Sequence, residues 1–119
     1  AHTATSAMRH GVAADKLSAI ADYSTSPLFS ESERVALDFA LAAASVPNGV
    51  TDEQFAQLRK HWSEGQIVEI LGVIGLFGFF NRWNDSLATT LEAEPLEIAS
   101  QTLGPKDWNI GKHGNSSLD

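Results

Sequence analysis

The chain has 119 residues, 43% of them hydrophobic, which suffices for one domain with a core and argues against disorder. Its formal net charge of −7, from 15 acidic and 8 basic residues, argues against a nucleic acid or an anionic membrane as partner, because phosphates are bound by clustered Lys and Arg. No cysteine is present, so disulfides, thiol nucleophiles and cysteine-ligated metals are excluded within these residues.

The first two predicted helices are short. Residues His2 to His10 place small and apolar side chains on one side, and Gly11 is predicted to end this helix because glycine readily adopts the left-handed conformation found there. Val12 to Tyr23 repeats apolar residues at helical spacing and is predicted to be the second helix. Pro27 disfavours helix in the residue before it, so residues 24–29 are predicted to be a loop.

Three further helices share an amino-terminal capping signal, in which Ser or Thr is followed three residues later by Glu or Gln. The signals are Ser30 with Glu33, Thr51 with Gln54, and Ser63 with Gln66. The helices they open run to Ser45, to about Trp62, and through the long apolar segment that follows. No segment alternates apolar and polar residues for long, so no sheet is predicted.

The stretch from Gln66 to Leu91 organises the chain. Its middle, Ile70 to Phe80, carries no charged or polar side chain, and we expect a helix that is apolar all round to be buried on every side. The run is shorter than the roughly 20 apolar residues of a membrane span, so no membrane partner is expected. Gly72, Gly75 and Gly78 predict a groove where another backbone, including that of a second subunit, comes close.

The predicted domain covers residues 1–104, and residues 105–119 are predicted to be an extended tail. Glu94 and Pro95 begin a sixth, short helix through Leu103, since Pro suits the start of a helix. The predicted fold class is therefore all-α, with about six helices, one of which is a long central apolar helix. The first residues lack the apolar stretch of a signal peptide, so the cytoplasm is the expected compartment.

Polar residues border the apolar run on both sides. Glu69 precedes it and, if partly buried, would suit a general base, although a Glu near a helix start also favours the helix dipole or pairs with Lys or Arg. Asn81, Arg82 and Asn84 follow the run and either line a small-molecule pocket or join helices or subunits. The four histidines do not stand at metal-ligand spacing, so neither a metal site nor a cofactor is predicted.

Several segments, in this order, resemble a known family. They are Ser26-Pro-Leu-Phe-Ser-Glu-Ser-Glu-Arg-Val-Ala-Leu37, Gly49-Val-Thr-Asp-Glu-Gln-Phe55, Ile67-Val-Glu-Ile70, Phe79-Phe-Asn-Arg-Trp-Asn84 and the ending Gly104-Pro-Lys-Asp-Trp-Asn-Ile-Gly-Lys-His113. Their order and spacing are similar to the carboxymuconolactone decarboxylase family, which includes the AhpD-like alkylhydroperoxidases. The resemblance implies helical protomers assembled as a homo-oligomer (dimer, trimer or hexamer) and an antioxidant peroxidase or a decarboxylase activity.

The redox members of that family carry Cys-x-x-Cys-x-x-x-His, and the resemblance identifies His2 as the histidine of this motif. The two cysteines, and an acidic residue further upstream, would then lie off this chain. In the family the thiolate is the nucleophile, the second thiol resolves, and the histidine and acid relay protons. The resemblance thus implies the fold, with the peroxidase site not intact in this chain.

Three interpretations of the function stay open. One is a truncated peroxidase-like or decarboxylase-like enzyme. Another is a non-catalytic, oligomeric helical protein that binds a small molecule. The last is a cysteine-independent decarboxylase-like enzyme that acts on a small organic acid, with His2 or Glu69 as the catalytic proton carrier.

Overall fold

The computed structural model describes residues 2–104 and 108–114, which contain helices and no strand. The α-helices are α1 (His2–Arg9), α2 (Ala14–Ser18), α3 (Glu31–Ala44), α4 (Asp52–His61), α5 (Glu64–Leu87) and α6 (Ala93–Thr102). Short 3-10 helices form at Ile20–Asp22 and Gly111–His113. The predicted all-α class is confirmed.

The three predicted capping signals all form reciprocal hydrogen bonds. In each, the hydroxyl of the cap residue accepts from the backbone N–H three residues on, and the Glu or Gln side chain accepts from the cap residue's own N–H. The pairs are Ser30 with Glu33, Thr51 with Gln54, and Ser63 with Gln66. Each satisfies backbone donors that a helix start leaves unpaired, so these starts are encoded locally.

The contacts divide the chain into two compact units, Ala1–Leu28 with Asp85–Asp119, and Phe29–Asn84. In the first unit, α1 and α2 pack against α6. The buried side chains of these helices are Ala4, Thr5, Pro95, Ala99 and Thr102. Small residues on α1 and α6 thus let these two helices approach closely.

The second unit has a core built from three helices. Phe39 of α3, Leu58 of α4 and Ile67 of α5 form its centre, and Leu58 is 0% exposed. Trp62 closes one side, where its indole N–H donates to the carbonyl of Ser32 at 3.1 Å. The core therefore fixes the first turns of α5 against α3 and α4.

The expectation that α5 is buried on every side is wrong for the single chain. Ile67 is its one buried residue, and Ile70 and Ile74 pack partly against the core. The opposite side carries exposed apolar side chains, here named the outer stripe: Val68, Leu76, Phe79, Trp83 and Leu87. The reason is geometric, because the described residues of this unit supply only two other helices, and these contact one face of α5.

Two further regions differ from the predicted boundaries. Residues 12–23 form α2 and a 3-10 helix instead of one helix, and the Ser18 hydroxyl donates to the carbonyl of Ala14 at 3.0 Å, a contact that competes with helix continuation. Residues 105–107 and 115–119 of the predicted tail lie outside the described residues. Within residues 108–114, Gly111–His113 is a 3-10 helix.

Ala88, directly after α5, has φ 51°, a conformation that glycine adopts without cost. We expect Ala88→Gly to raise the free energy of unfolding by about 0.5–1 kcal/mol, because the left-handed conformation costs an alanine about that much. Ala56→Gly, at an exposed position inside α4, should instead lower it by about 1 kcal/mol. Urea denaturation of both variants checks the prediction, and an Ala88→Gly protein less stable than the parent would contradict it.

Candidate functional site

His2 on α1 forms a close pair with an acidic residue at the start of α6. Its Nε2 lies 2.8 Å from Oε2 of Glu92, and the side chains are 55% and 70% exposed. The pKa of the Glu92 carboxyl is lowered, first by a hydrogen bond from its own backbone and then by the hydrogen bond and charge of His2. A carboxylate on one ring nitrogen orients the imidazole and fixes its tautomer. The pair therefore has the chemistry of a proton carrier.

No sequence pattern indicated Glu92 as the partner of His2. The two residues are 90 positions apart, so only the packing of α1 on α6 brings them together. The same two helices share a second ion pair, between Arg9 and Glu94. With Arg9 paired to Glu94, the acidic start of α6 presents one carboxylate to each basic side chain of α1.

Another group of polar side chains lies where α5 ends, in the same unit. Oδ1 of Asp85 is 3.0 Å from Nζ of Lys112 and 3.6 Å from Nε2 of His113. The hydrogen bond and charge of Lys112, followed by those of His113, hold the pKa of the Asp85 carboxyl below its ordinary value. We name residues 108–114 the C-terminal strap. Sequence reasoning included His113 only within the family resemblance and missed these contacts.

Glu69 lies in the second unit and is exposed, so the partial burial that would suit it as a general base is absent in the single chain. No described hydrogen bond or ion pair of this unit involves its carboxylate. It borders a groove of about 470 Å³ whose walls are mostly apolar, with Leu37, Trp62 and Val73 among them. Glu69 thus stands at the edge of an apolar groove and has no described hydrogen-bond partner.

The three polar residues after the apolar run are only partly brought together. Asn81 and Arg82 line one groove of about 340 Å³ between α5 and the end of α3, alongside Gly75 and Gly78. Arg82 Nη1 donates to the carbonyl of Gly78 at 3.3 Å, so its guanidinium lies along the helix. Asn84 is half-buried and does not line that groove.

Metal binding and membrane insertion are two further possibilities for the described residues. Among residues 2–104 and 108–114, no three His, Asp or Glu side chains come together as metal ligands would. By length and composition alone, α5 is long and apolar enough to cross a bilayer, with a mean hydropathy of 1.2 and 6% of that window buried. That criterion discriminates weakly, because core helices and signal sequences also meet it.

Comparisons with known proteins point in one direction. No protein-family model matches the chain. The uncharacterized protein YnjA of Escherichia coli (strain K12) is 40% identical over 73 residues, which are 61% of this chain and 40% of that protein. A crystal structure of the debrominase Bmp8, a cysteine-to-alanine variant in complex with 2,3,4-tribromopyrrole, matches with a TM-score of 0.78 and 34% identity over 85% of this chain.

The chain spans 40% of the curated relative and 54% of the solved structure that it matches. The likeness therefore covers most of this chain but only part of each relative. It supports the broad part of the predicted resemblance, a helical decarboxylase-like or AhpD-like architecture. The chain is thus linked by structure to the carboxymuconolactone decarboxylase-like fold, and its closer assignment rests on the proposals that follow.

Proposed function

We propose that this chain forms the helical body of a carboxymuconolactone decarboxylase/AhpD-like enzyme that acts on a small apolar organic molecule, with His2 as proton carrier. The observation that carries the proposal is the match to a debrominase in complex with tribromopyrrole, at 34% identity over 85% of this chain. The His2–Glu92 pair, at 2.8 Å, supplies a group suited to proton transfer. Glu69 has no comparable partner among its described contacts and is not part of the proposal.

The electrons must come from outside these 119 residues. Replacing a carbon-bound bromine by hydrogen, or reducing a hydroperoxide, consumes two electrons, which a pair of thiols supplies on becoming a disulfide. This chain has no cysteine. The proposal therefore assigns binding and proton transfer to this chain, and electron donation to thiols that are not among its residues.

Turnover by the chain alone tests the second assignment. With a dithiol reductant present, neither hydroperoxide consumption nor bromide release from 2,3,4-tribromopyrrole should exceed the rate of the buffer. The matched control is the His2→Asn variant, which should give the same background. Turnover by the parent above both would contradict the assignment, because it would show that the chain holds a complete site.

Ligand binding tests the first assignment independently of turnover. Amide chemical shifts followed during addition of 2,3,4-tribromopyrrole should saturate, with a dissociation constant of about 10 μM to 1 mM for a ligand of this size. Unsubstituted pyrrole serves as the control ligand and should bind more weakly, because it buries less apolar surface. No saturable shift at millimolar ligand would contradict the proposed substrate class.

The outer stripe favours a second proposal, that the chain assembles as a homo-oligomer through α5. Its five side chains range from 51% to 68% exposed, and the rings of Phe79 and Trp83 pack at a tilt of 35° with their centres 5.9 Å apart. Contiguous apolar patches of this kind mark interaction surfaces. A Cβ added at Gly72 or Gly75 would meet no atom within 4 Å, so the adjoining surface has room for another backbone.

Sedimentation at micromolar protein concentration tests the assembly. We expect a species larger than one chain, of 12.8 kDa. A folded monomer would contradict the proposal. Co-flotation with lipid vesicles, in place of self-association, would also contradict it, by showing that lipid covers the stripe.

A further inference from the structure

We propose that the C-terminal strap positions Glu92 against His2, so that residues at the end of the chain set the geometry of the proton carrier. The inference rests on the proposed role of His2 and adds the residues that hold its partner in place. All of them belong to the first compact unit. Glu92 and the strap are positioning elements, since neither is argued to touch a substrate.

The loop that ends in Glu92 connects α5 to α6. It begins after α5 with Ala88 at φ 51°, a conformation that a non-glycine residue keeps only when its surroundings hold it. Glu92 is the N-cap residue of α6, yet its side chain makes no capping hydrogen bond. The side chain is instead directed to His2. The loop conformation, and with it the direction of this carboxylate, therefore needs outside support.

His113 of the strap supplies that support through its backbone and its side chain. Its carbonyl accepts from the backbone N–H of Leu91 at 2.9 Å, directly before Glu92. Its Nδ1 lies 2.9 Å from the carbonyl oxygen of Thr89, where the ring must donate. These two hydrogen bonds hold the loop at both sides of residue 90 and fix the backbone that carries Glu92.

Asp85 anchors the strap to the end of α5. Its carboxylate contacts both Lys112 at 3.0 Å and His113 at 3.6 Å, the residues on either side of one peptide bond. The connection thus runs from the last turn of α5 through the strap to the loop, and from the loop to Glu92 and His2. Each step is a named hydrogen bond or ion pair.

The titration of Glu92 provides a readout that a merely structural role would not change. In the parent, the hydrogen bond and charge of His2 contribute to lowering the pKa of Glu92. His2→Ala should therefore raise the pH midpoint of the Glu92 titration, which is measured from the ¹³C NMR signal of its carboxyl carbon. If the strap acts by positioning Glu92, His113→Ala should raise the same midpoint in a chain that still folds. Once His2→Ala is present, adding His113→Ala should produce a smaller rise than it does in the parent.

His10→Ala is the matched control, because His10 lies in the same unit, directly after α1, and its Nδ1 lies 2.8 Å from the carbonyl oxygen of Ser6. It should leave the midpoint of Glu92 unchanged. If His113→Ala fails to fold, Asp85→Asn removes the anchor of the strap and thereby weakens both loop hydrogen bonds, so a rise of the midpoint is again expected.

The inference is overturned if folded His113→Ala or Asp85→Asn protein titrates at Glu92 as the parent does while His2→Ala raises the midpoint. It is equally overturned if His2→Ala has no effect, because the pair would then not form. None of these readouts needs turnover, so they stand apart from a failure of the enzymatic proposal.

Discussion

Leu58→Ala is expected to lower the free energy of unfolding by about 2–5 kcal/mol, the cost of removing a buried leucine and leaving a cavity. Leu58 is 0% exposed and packs with Phe39 and Ile67, the other two buried residues of this core. Domains of this size are stable by only about 5–15 kcal/mol. The single change should therefore remove a large share of the stability of the unit that holds α5 in place.

Urea denaturation followed by tryptophan fluorescence measures this effect. Leu41→Ala on α3 is the matched control, because Leu41 is 62% exposed and its truncation should change the free energy by no more than about 0.5 kcal/mol. A loss below about 1 kcal/mol for Leu58→Ala would show that the three-helix core does not carry the stability of the second unit.

A charge at the centre of the outer stripe should separate the proposed oligomer into single chains. Leu76 is 51% exposed on α5. Burying a leucine side chain fully contributes roughly 1.5–3 kcal/mol, and an interface that covers Leu76 would gain part of that free energy from each copy. Leu76→Asp loses that gain and also places an unpaired carboxylate in the contact. In a symmetric contact both copies carry the substitution, so the loss of association free energy is doubled. We therefore expect the dissociation constant to rise at least about 100-fold.

Sedimentation velocity compares the variant with the parent. Val46→Asp introduces the same charge at a position that is 83% exposed and lies after α3, outside the outer stripe, and it should assemble as the parent does. Gly75→Ala gives an independent check. In a single chain it should stabilise the helix by about 1 kcal/mol, but at a close helix contact it should weaken assembly. A Leu76→Asp protein that assembles normally would contradict the proposed interface.

The starts of α3, α4 and α5 were predictable because each depends on side chains three residues apart. Ser30, Thr51 and Ser63 satisfy their own helix starts without help from the rest of the chain. The environment of α5 was not predictable in the same way. An apolar run indicates that a helix surface is covered, but it does not show whether residues of the same chain or a partner cover it.

The residues of the candidate site were likewise predictable only in part. Lining a pocket was one of the two roles predicted for Asn81 and Arg82, and they line one groove because they lie on one helix. His2 came from a motif resemblance, whereas Glu92 and the contacts of His113 came only from the structure. Those contacts join helices and loops distant in sequence, and no spacing along the chain encodes them.

The tryptophans of the second unit have different surroundings, and this gives the protein two optical probes. Trp62 is half-buried beside the core, and its indole donates to Ser32. Trp83 is 55% exposed on the outer stripe. Unfolding should alter the emission of Trp62, and coverage of α5 should shift that of Trp83 to shorter wavelength. Two variants in which phenylalanine replaces two of the three tryptophans, leaving only Trp62 or only Trp83, would let fluorescence follow folding and assembly separately.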